Sequence, residues 1–287
     1  MPWINANDVR LYYELHGAKE SLGHPGESLG SMGIPLLLIA GLGFGAWSWF
    51  RQIPVFSHTF TTIAFDNRGV GQSDQPDSPY TIRMMAEDAA ALLRGLGIER
   101  AHVLGHSMGG YIAQELALHH PELVVGLVLV STSFGGKNAV LMSPETATQM
   151  RAELEAEGAE AVLRKGLSLR LSDSFIAERP DIVDQFLALR STHLPTRIAW
   201  ERQFAACLGF ETESRLAALQ APTLILTGDD DPIVPAENSR LLAERIPDAQ
   251  LVLFPGARHL VFIERAEEFN RTVIKFLNAL NRNRPPL

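Results

Sequence analysis

Gly105-His106-Ser107-Met108-Gly109 sets a serine between two glycines at G-x-S-x-G spacing, the pattern of a nucleophile exposed on a sharp strand-to-helix bend. By itself the pattern is weak, because three fixed positions of such common residues recur by chance in roughly one chain in ten of this length. Its setting strengthens it. Ala101 to Leu104 is short and apolar, and Tyr111 to Leu118 has helical spacing, so the serine falls where a strand gives way to a helix. A strained backbone at Ser107 would bring the two elements so close that a Cβ at position 105 or 109 would collide. His106, adjacent on the bend, is poorly placed to serve the hydroxyl and is expected to be a packed, hydrogen-bonded side chain.

A serine hydroxyl is a poor nucleophile until a base takes its proton. On bends of this kind the partners follow in the chain order serine, carboxylate, histidine. Thr223 to Thr227 is an apolar strand running through Gly228 into Asp229-Asp230-Asp231-Pro232, and His259 is the only histidine beyond it. That histidine lies on a loop between the last strand and the closing helix, from where an imidazole can reach across the sheet edge. Three aspartates are available to orient it. Pro232 biases Asp231 towards extended backbone, while Asp229 and Asp230 suit a turn or a solvated charge.

The elements that must position these groups alternate. Val9 to Leu15 and Leu36 to Ala40 read as strands, followed by strand Thr61 to Phe65, helix Ile82 to Leu96, strand Ala101 to Leu104, helix Met108 to His119 and strand Val124 to Val130. Such alternation predicts a parallel sheet covered on both faces. After Ser131 it stops. Ser143-Pro144-Glu145 is a helix start, and helical patterning persists to about Phe210. It resumes with strand Thr223 to Thr227, helix Pro235 to Ile246, strand Gln250 to Leu253 and an amphipathic helix from Glu264 to Leu280. Residues 1–133 and 215–287 are therefore expected to form one core domain, and 134–214 a helical cap over the strand ends, where open α/β sheets place ligands. Lys19 to Gly33, with Glu-Ser-Leu-Gly at 20–23 and again at 27–30, is expected to be an extended surface turn.

Composition narrows the function classes. The 287 residues are 46% hydrophobic, enough for a large core, and the net charge of -8 without any basic run argues against nucleic acid. The only cysteine, Cys207, forms no intrachain disulfide, and no Cys/His cluster has metal-ligand spacing. The N-terminus has no signal-like pattern, and the apolar stretch from Ile34 to Trp47 falls short of the ~20 residues a membrane helix needs. A cytoplasmic protein acting on a small molecule, with no metal, cofactor or membrane partner, is expected. Gly41-Leu42-Gly43-Phe44-Gly45 and Gly69-Val70-Gly71 lack the spacing of nucleotide-binding loops. The segment from Asp66 to Ser73 reads as a structural turn, and His119-His120 as a solvated helix end.

Five segments, Ala40-Gly-Leu-Gly, Asp66-Asn-Arg-Gly-Val-Gly-Gln-Ser, Gly105-His-Ser-Met-Gly-Gly, Gly228-Asp-Asp-Asp-Pro-Ile-Val-Pro and Pro255-Gly-Ala-Arg-His, together resemble the α/β-hydrolase family. The similarity is greatest to its lidded esterases, enol-lactonases and carbon-carbon bond hydrolases, and it spans nearly the whole chain outside the cap. It implies a mostly parallel eight-stranded sheet with helices on both faces and an inserted cap. It places the family's acid on Asp231, its histidine on His259 and its nucleophile on Ser107, and it assigns the oxyanion hole to the backbone N–H groups of Met108 and Leu42. Where the family most often has His-Gly, this chain has Ala40-Gly41, so that loop lacks its usual side-chain prop.

The activity so implied is acyl transfer through Ser107, expected on a small, largely uncharged, apolar carboxylic ester. A lactonase or a carbon-carbon bond hydrolase would use the same triad, and a hydrolase-fold binding protein would hold a ligand without turnover. An epoxide hydrolase or dehalogenase would need an aspartate at position 107. Phe44, Trp47, Met108, Met142, Trp200, Val234 and Leu260 are candidates for the substrate pocket.

Overall fold

Strands buried at every residue must be covered on both faces, and five such segments form the middle of the sheet. The computed structural model describes residues 2–17, 33–155 and 160–282; the surface turn expected over Lys19 to Gly33 lies outside them except for Gly33. In chain order the elements are β1 (Trp3–Ala6), β2 (Val9–His16), β3 (Leu36–Ile39), α1 (Ile53–Phe56), β4 (Thr62–Phe65), α2 (Ile82–Gly95), β5 (Ala101–His106), α3 (Met108–His119) and β6 (Val124–Val130). Five helices follow: α4 (Pro144–Glu155), α5 (Glu160–Lys165), α6 (Asp173–Glu178), α7 (Pro180–Thr192) and α8 (Arg197–Leu208). The chain closes with β7 (Thr223–Gly228), α9 (Glu237–Arg245), β8 (Gln250–Phe254), α10 (Val261–Glu264) and α11 (Ala266–Arg282).

One eight-stranded sheet results, in the order β1-β2-β4-β3-β5-β6-β7-β8. From β4 to β8 neighbouring strands are parallel, while β2 joins β4 antiparallel and β1 hairpins onto β2. The period of two sorts side chains between faces. Leu37, Ile39, Val103, Leu127, Leu129 and Ile225 pack with α2, α3 and α9. Leu36, Leu38, Leu104, Val128, Val130, Leu224 and Leu226 pack on the other side with α11 and part of the inserted helices. Each such side chain contributes about 1.5–3 kcal/mol by leaving water, so two-sided burial rather than strand propensity holds these segments.

Three features depart from the sequence reading. β1 carries little apolar pattern, and its hairpin rests on Asn7 and Asp8, both at positive φ (49° and 64°), as a two-residue turn requires. The four-residue α1 is too short to show periodicity. The closing helix is broken at Arg265, which is non-helical (φ −110°, ψ 36°), and beside the break the Glu264 carboxylate turns inward to accept N–H bonds from Arg258 (3.1 Å) and Ser172 (3.2 Å).

The inserted helices α4–α8 leave the sheet after β6 and return before β7. The two crossings are zipped together: Gly136 N–H donates to the Phe210 carbonyl (3.1 Å) and Thr212 N–H to the Phe134 carbonyl (2.9 Å). Among the described residues no helix is long and apolar enough to cross a membrane.

Candidate active site

Ser107 occupies the bend between β5 and α3 at φ 54° and ψ −118°, conformational space that a non-glycine residue enters only when its surroundings force it. The surroundings do. Its N–H donates to the Val130 carbonyl (2.8 Å), and its carbonyl accepts from Gly110 N–H (2.9 Å) and from the Thr132 hydroxyl (2.8 Å). A Cβ on Gly105 would run into the Gly109 carbonyl, and one on Gly109 into the Ile39 carbonyl. The two glycines that frame the motif therefore permit the close approach that throws the serine outward.

Across the sheet edge, β7 ends in the three aspartates, and the structure separates them. Asp231 is buried; its Oδ2 lies 2.7 Å from His259 Nδ1, while Oδ1 accepts the N–H groups of Ile233 (2.9 Å) and Val234 (3.0 Å). Asp229 accepts from Gly256 N–H (2.6 Å) and Asp230 pairs with Arg258 (3.0 Å), both on exposed residues. Asp231 as a carboxylate can only accept, so it takes the N–H of Nδ1 and leaves Nε2 as the ring's other hydrogen-bonding nitrogen. His259 and Ser107 line the same cavity.

His106 is buried, and its Nε2 meets the His259 carbonyl at 3.2 Å, its ring stacking edge-on to Phe262. Burial first, and the neighbouring His259 ring second, hold its pKa well below the ordinary 6.5, so it is a neutral donor bracing the histidine loop. His119 and His120 are not simply solvated. The apposition of α2 and α3 places Glu87 (2.9 Å) and Arg94 (3.0 Å) on the His120 ring, and within α3 Glu115 pairs with His119 one turn on (3.0 Å). Among the described residues no group of three or more His, Cys, Asp or Glu side chains could hold a metal ion.

The cavity has a volume of about 410 Å³. Of the pocket residues expected from sequence, Phe44, Met108, Met142, Trp200 and Val234 are on its wall, as is Leu42. Two are not. Leu260 is fully buried in the apolar core beside α10, and Trp47 lies behind Phe44, stacked on it at 5.3 Å and on His193 at 5.7 Å. Tyr111 and Cys207 reach the wall but carry no nucleophilic anion, because burial pushes the phenol and the thiol up to about 12. Arg170, Arg190 and Arg197 also reach it, which sequence reasoning passed over. A signal for Arg190 existed: it continues the buried stripe Val183, Phe186, Leu187 of α7, where an apolar residue would be expected.

The loop after β3 is held from two sides. Asn67 donates to the Ala40 carbonyl (3.0 Å), and the Asp66 carboxylate accepts Ala46 N–H (2.8 Å), so the turn from Asp66 to Ser73 is a brace for this loop. Between these anchors, Gln203 of α8 accepts Gly43 N–H (2.9 Å) and Arg190 of α7 donates to the Gly43 carbonyl (2.6 Å).

Sheet order, bend and cavity define a hydrolase of the α/β class. A family model described as the alpha/beta hydrolase fold matches residues 34–266, and the chain belongs to that family. It is 33% identical over 281 residues to a putative carbamate hydrolase, RutD, of Azorhizobium caulinodans, covering 98% of this chain and 100% of that one. It is also 33% identical to a poly(3-hydroxyalkanoate) depolymerase of Ectopseudomonas oleovorans over 245 residues, 85% of this chain and 84% of the other. Among solved structures, the enol-lactonase from Burkholderia xenovorans LB400 superposes with a TM-score of 0.82 at 25% identity, covering 96% of this chain and 100% of that chain.

Proposed function

We propose that this chain is a serine hydrolase in which Ser107 is the nucleophile, His259 the general base and acid, and Asp231 the group that orients and charges the imidazole. The observation that carries the proposal is the Asp231–His259 hydrogen bond of 2.7 Å on a cavity whose wall also holds Ser107 at a strained bend. Ser107 attacks a carbonyl while His259 accepts its proton, and the developing oxyanion is received by the N–H groups of Leu42 and Met108. His259 then protonates the leaving group, and water activated by the same ring releases the acyl group. Residues 134–214 act as the cap that shapes the pocket over the core formed by 1–133 and 215–287.

The substrate class is a small carboxylic ester, for which the apolar wall of Phe44, Met142 and Trp200 is suited. A lactone or carbamate carbonyl is open to the same attack, as is the carbonyl of a carbon-carbon bond substrate, and the relatives and structural neighbours support keeping all three beside the ester.

Labelling with a fluorophosphonate tests the chemistry: native protein is modified on one serine and Ser107→Ala is not. Absence of labelling on native protein overturns the serine mechanism. A series of p-nitrophenyl esters of increasing chain length, followed by a neutral lactone, a carboxylate-bearing lactone and a carbamate, then ranks substrate classes by kcat/KM.

A further inference from the structure

Gly41 to Phe44 is a β-turn, closed by Phe44 N–H on the Gly41 carbonyl at 3.0 Å, with Gly43 at φ +67° in its third position. Within such a turn the central peptide, here Leu42–Gly43, makes no hydrogen bond of its own, so its orientation is set from outside. That peptide directly follows the Leu42 N–H assigned above to the oxyanion hole.

Gly43 is gripped on both sides from the inserted helices, at the N–H of that central peptide and at the carbonyl of the following one, Gly43–Phe44, whose own N–H closes the turn. Gln203 is fully buried, and its amide bridges two backbone groups: Oε1 accepts Gly43 N–H (2.9 Å) and Nε2 donates to the Arg68 carbonyl (2.8 Å). Arg190, also buried, donates to the Gly43 carbonyl (2.6 Å), its guanidinium lying 4.6 Å from the Phe44 ring centre. Trp200 and Pro195 close over Gly43 so tightly that a Cβ there would meet them at 3.0 and 3.3 Å.

Resting on the serine-hydrolase reading, we infer that Gln203 and Arg190 are positioning residues, which fix the oxyanion turn from the insertion in place of the side-chain prop that Ala40 cannot supply. An amide is the side chain that can accept from one peptide and donate to another at once, which a carboxylate cannot do. Gln203 is not among the described residues lining the cavity, so it acts on the reaction through the turn rather than by touching substrate.

The test is steady-state kinetics on a short p-nitrophenyl ester, with active sites titrated by fluorophosphonate so that only folded enzyme is counted. Inhibition by an alkyl boronic acid, whose tetrahedral adduct fills the oxyanion hole, is compared with binding of the matching ground-state amide. Gln203→Met is expected to lower kcat by roughly 10- to 100-fold, below the full loss of an oxyanion donor, with KM within about threefold. Boronate affinity falls by the same factor and amide affinity is unchanged. Arg190→Met behaves likewise, and Arg190→Lys, which keeps one donor, recovers most of the loss. Undiminished kcat per titrated site in Gln203→Met, or equal loss of boronate and amide binding, overturns the inference while leaving the nucleophile intact. A native protein that neither labels nor turns over ester overturns the serine-hydrolase reading itself, and this inference with it.

Discussion

The sheet edge and the inserted helices contribute to one cavity by different physical means. At the sheet edge the groups are held mainly by backbone: Ser107 by main-chain bonds to Val130 and Gly110, a bond from the Thr132 hydroxyl and two glycine contacts, and Asp231 by two N–H donors besides its histidine. From the insertion, contributions arrive mainly through side chains, Arg190 and Gln203 on one turn, Trp200 and Met142 on the wall, besides the Arg170 carbonyl that accepts Leu260 N–H. Groups fixed by backbone admit no substitution without loss of geometry, whereas a wall made of side chains can be altered residue by residue. The sheet edge is thus suited to carry the reaction and the insertion to choose what enters it.

The sharpest way to break this contrast is at Ser107, the proposed nucleophile. Ser107→Ala is expected to lower kcat by about 10⁴-fold or more with the fold intact, measured by ester turnover and thermal unfolding. Asp231→Asn should follow closely, by roughly 10³- to 10⁴-fold in kcat, since it leaves His259 without the carboxylate that charges it favourably. Gly109→Ala probes the backbone itself. With the added Cβ directed into the Ile39 carbonyl, a destabilisation of about 3 kcal/mol in chemical denaturation is expected, together with loss of activity. An insertion residue should behave otherwise: Trp200→Ala is expected to raise KM about tenfold for a short ester while kcat changes less than threefold. A kcat loss at Trp200 as large as that at Asp231 would erase the contrast.

The smallest expected effect is on pH dependence of stability. His106 is neutral in the fold with its pKa depressed, whereas the unfolded chain takes up a proton near the ordinary 6.5. Below that value the unfolded state binds more protons than the native one, so this contribution to stability is complete above about pH 6.5 and is lost as pH falls towards the folded value. His106→Gln should flatten the decline of melting temperature between about pH 6.5 and 5. An unchanged slope would mean that other groups account for it.

Much of the sheet edge was legible because its constraints are local in sequence. The bend glycines, the apolar runs of β3, β5, β6 and β7, and the position of His259 each follow from a few neighbouring residues. The choice among Asp229, Asp230 and Asp231 was not legible from chemistry alone, because Pro232 biases the backbone at Asp231 without saying what its carboxylate meets. It separates only when Gly256, Arg258 and His259 arrive from another loop to take one each. Leu260 and Trp47 were misplaced for a related reason: proximity in sequence to a catalytic loop does not say which way an apolar side chain turns.

By itself, the sequence determined the parallel sheet, the helical interruption after β6 and the three loops able to bring serine, carboxylate and imidazole to one edge. Periodicity and turn chemistry are written in short windows of the chain. Only the tertiary structure decided that Gln203 and Arg190, 160 and 147 residues beyond Gly43, hold the turn from Gly41 to Phe44 and that three arginines line the cavity. Those contacts depend on how amphipathic helices settle over the strand ends, and a buried polar residue on a helix stripe reveals its partner only once the packing has chosen it.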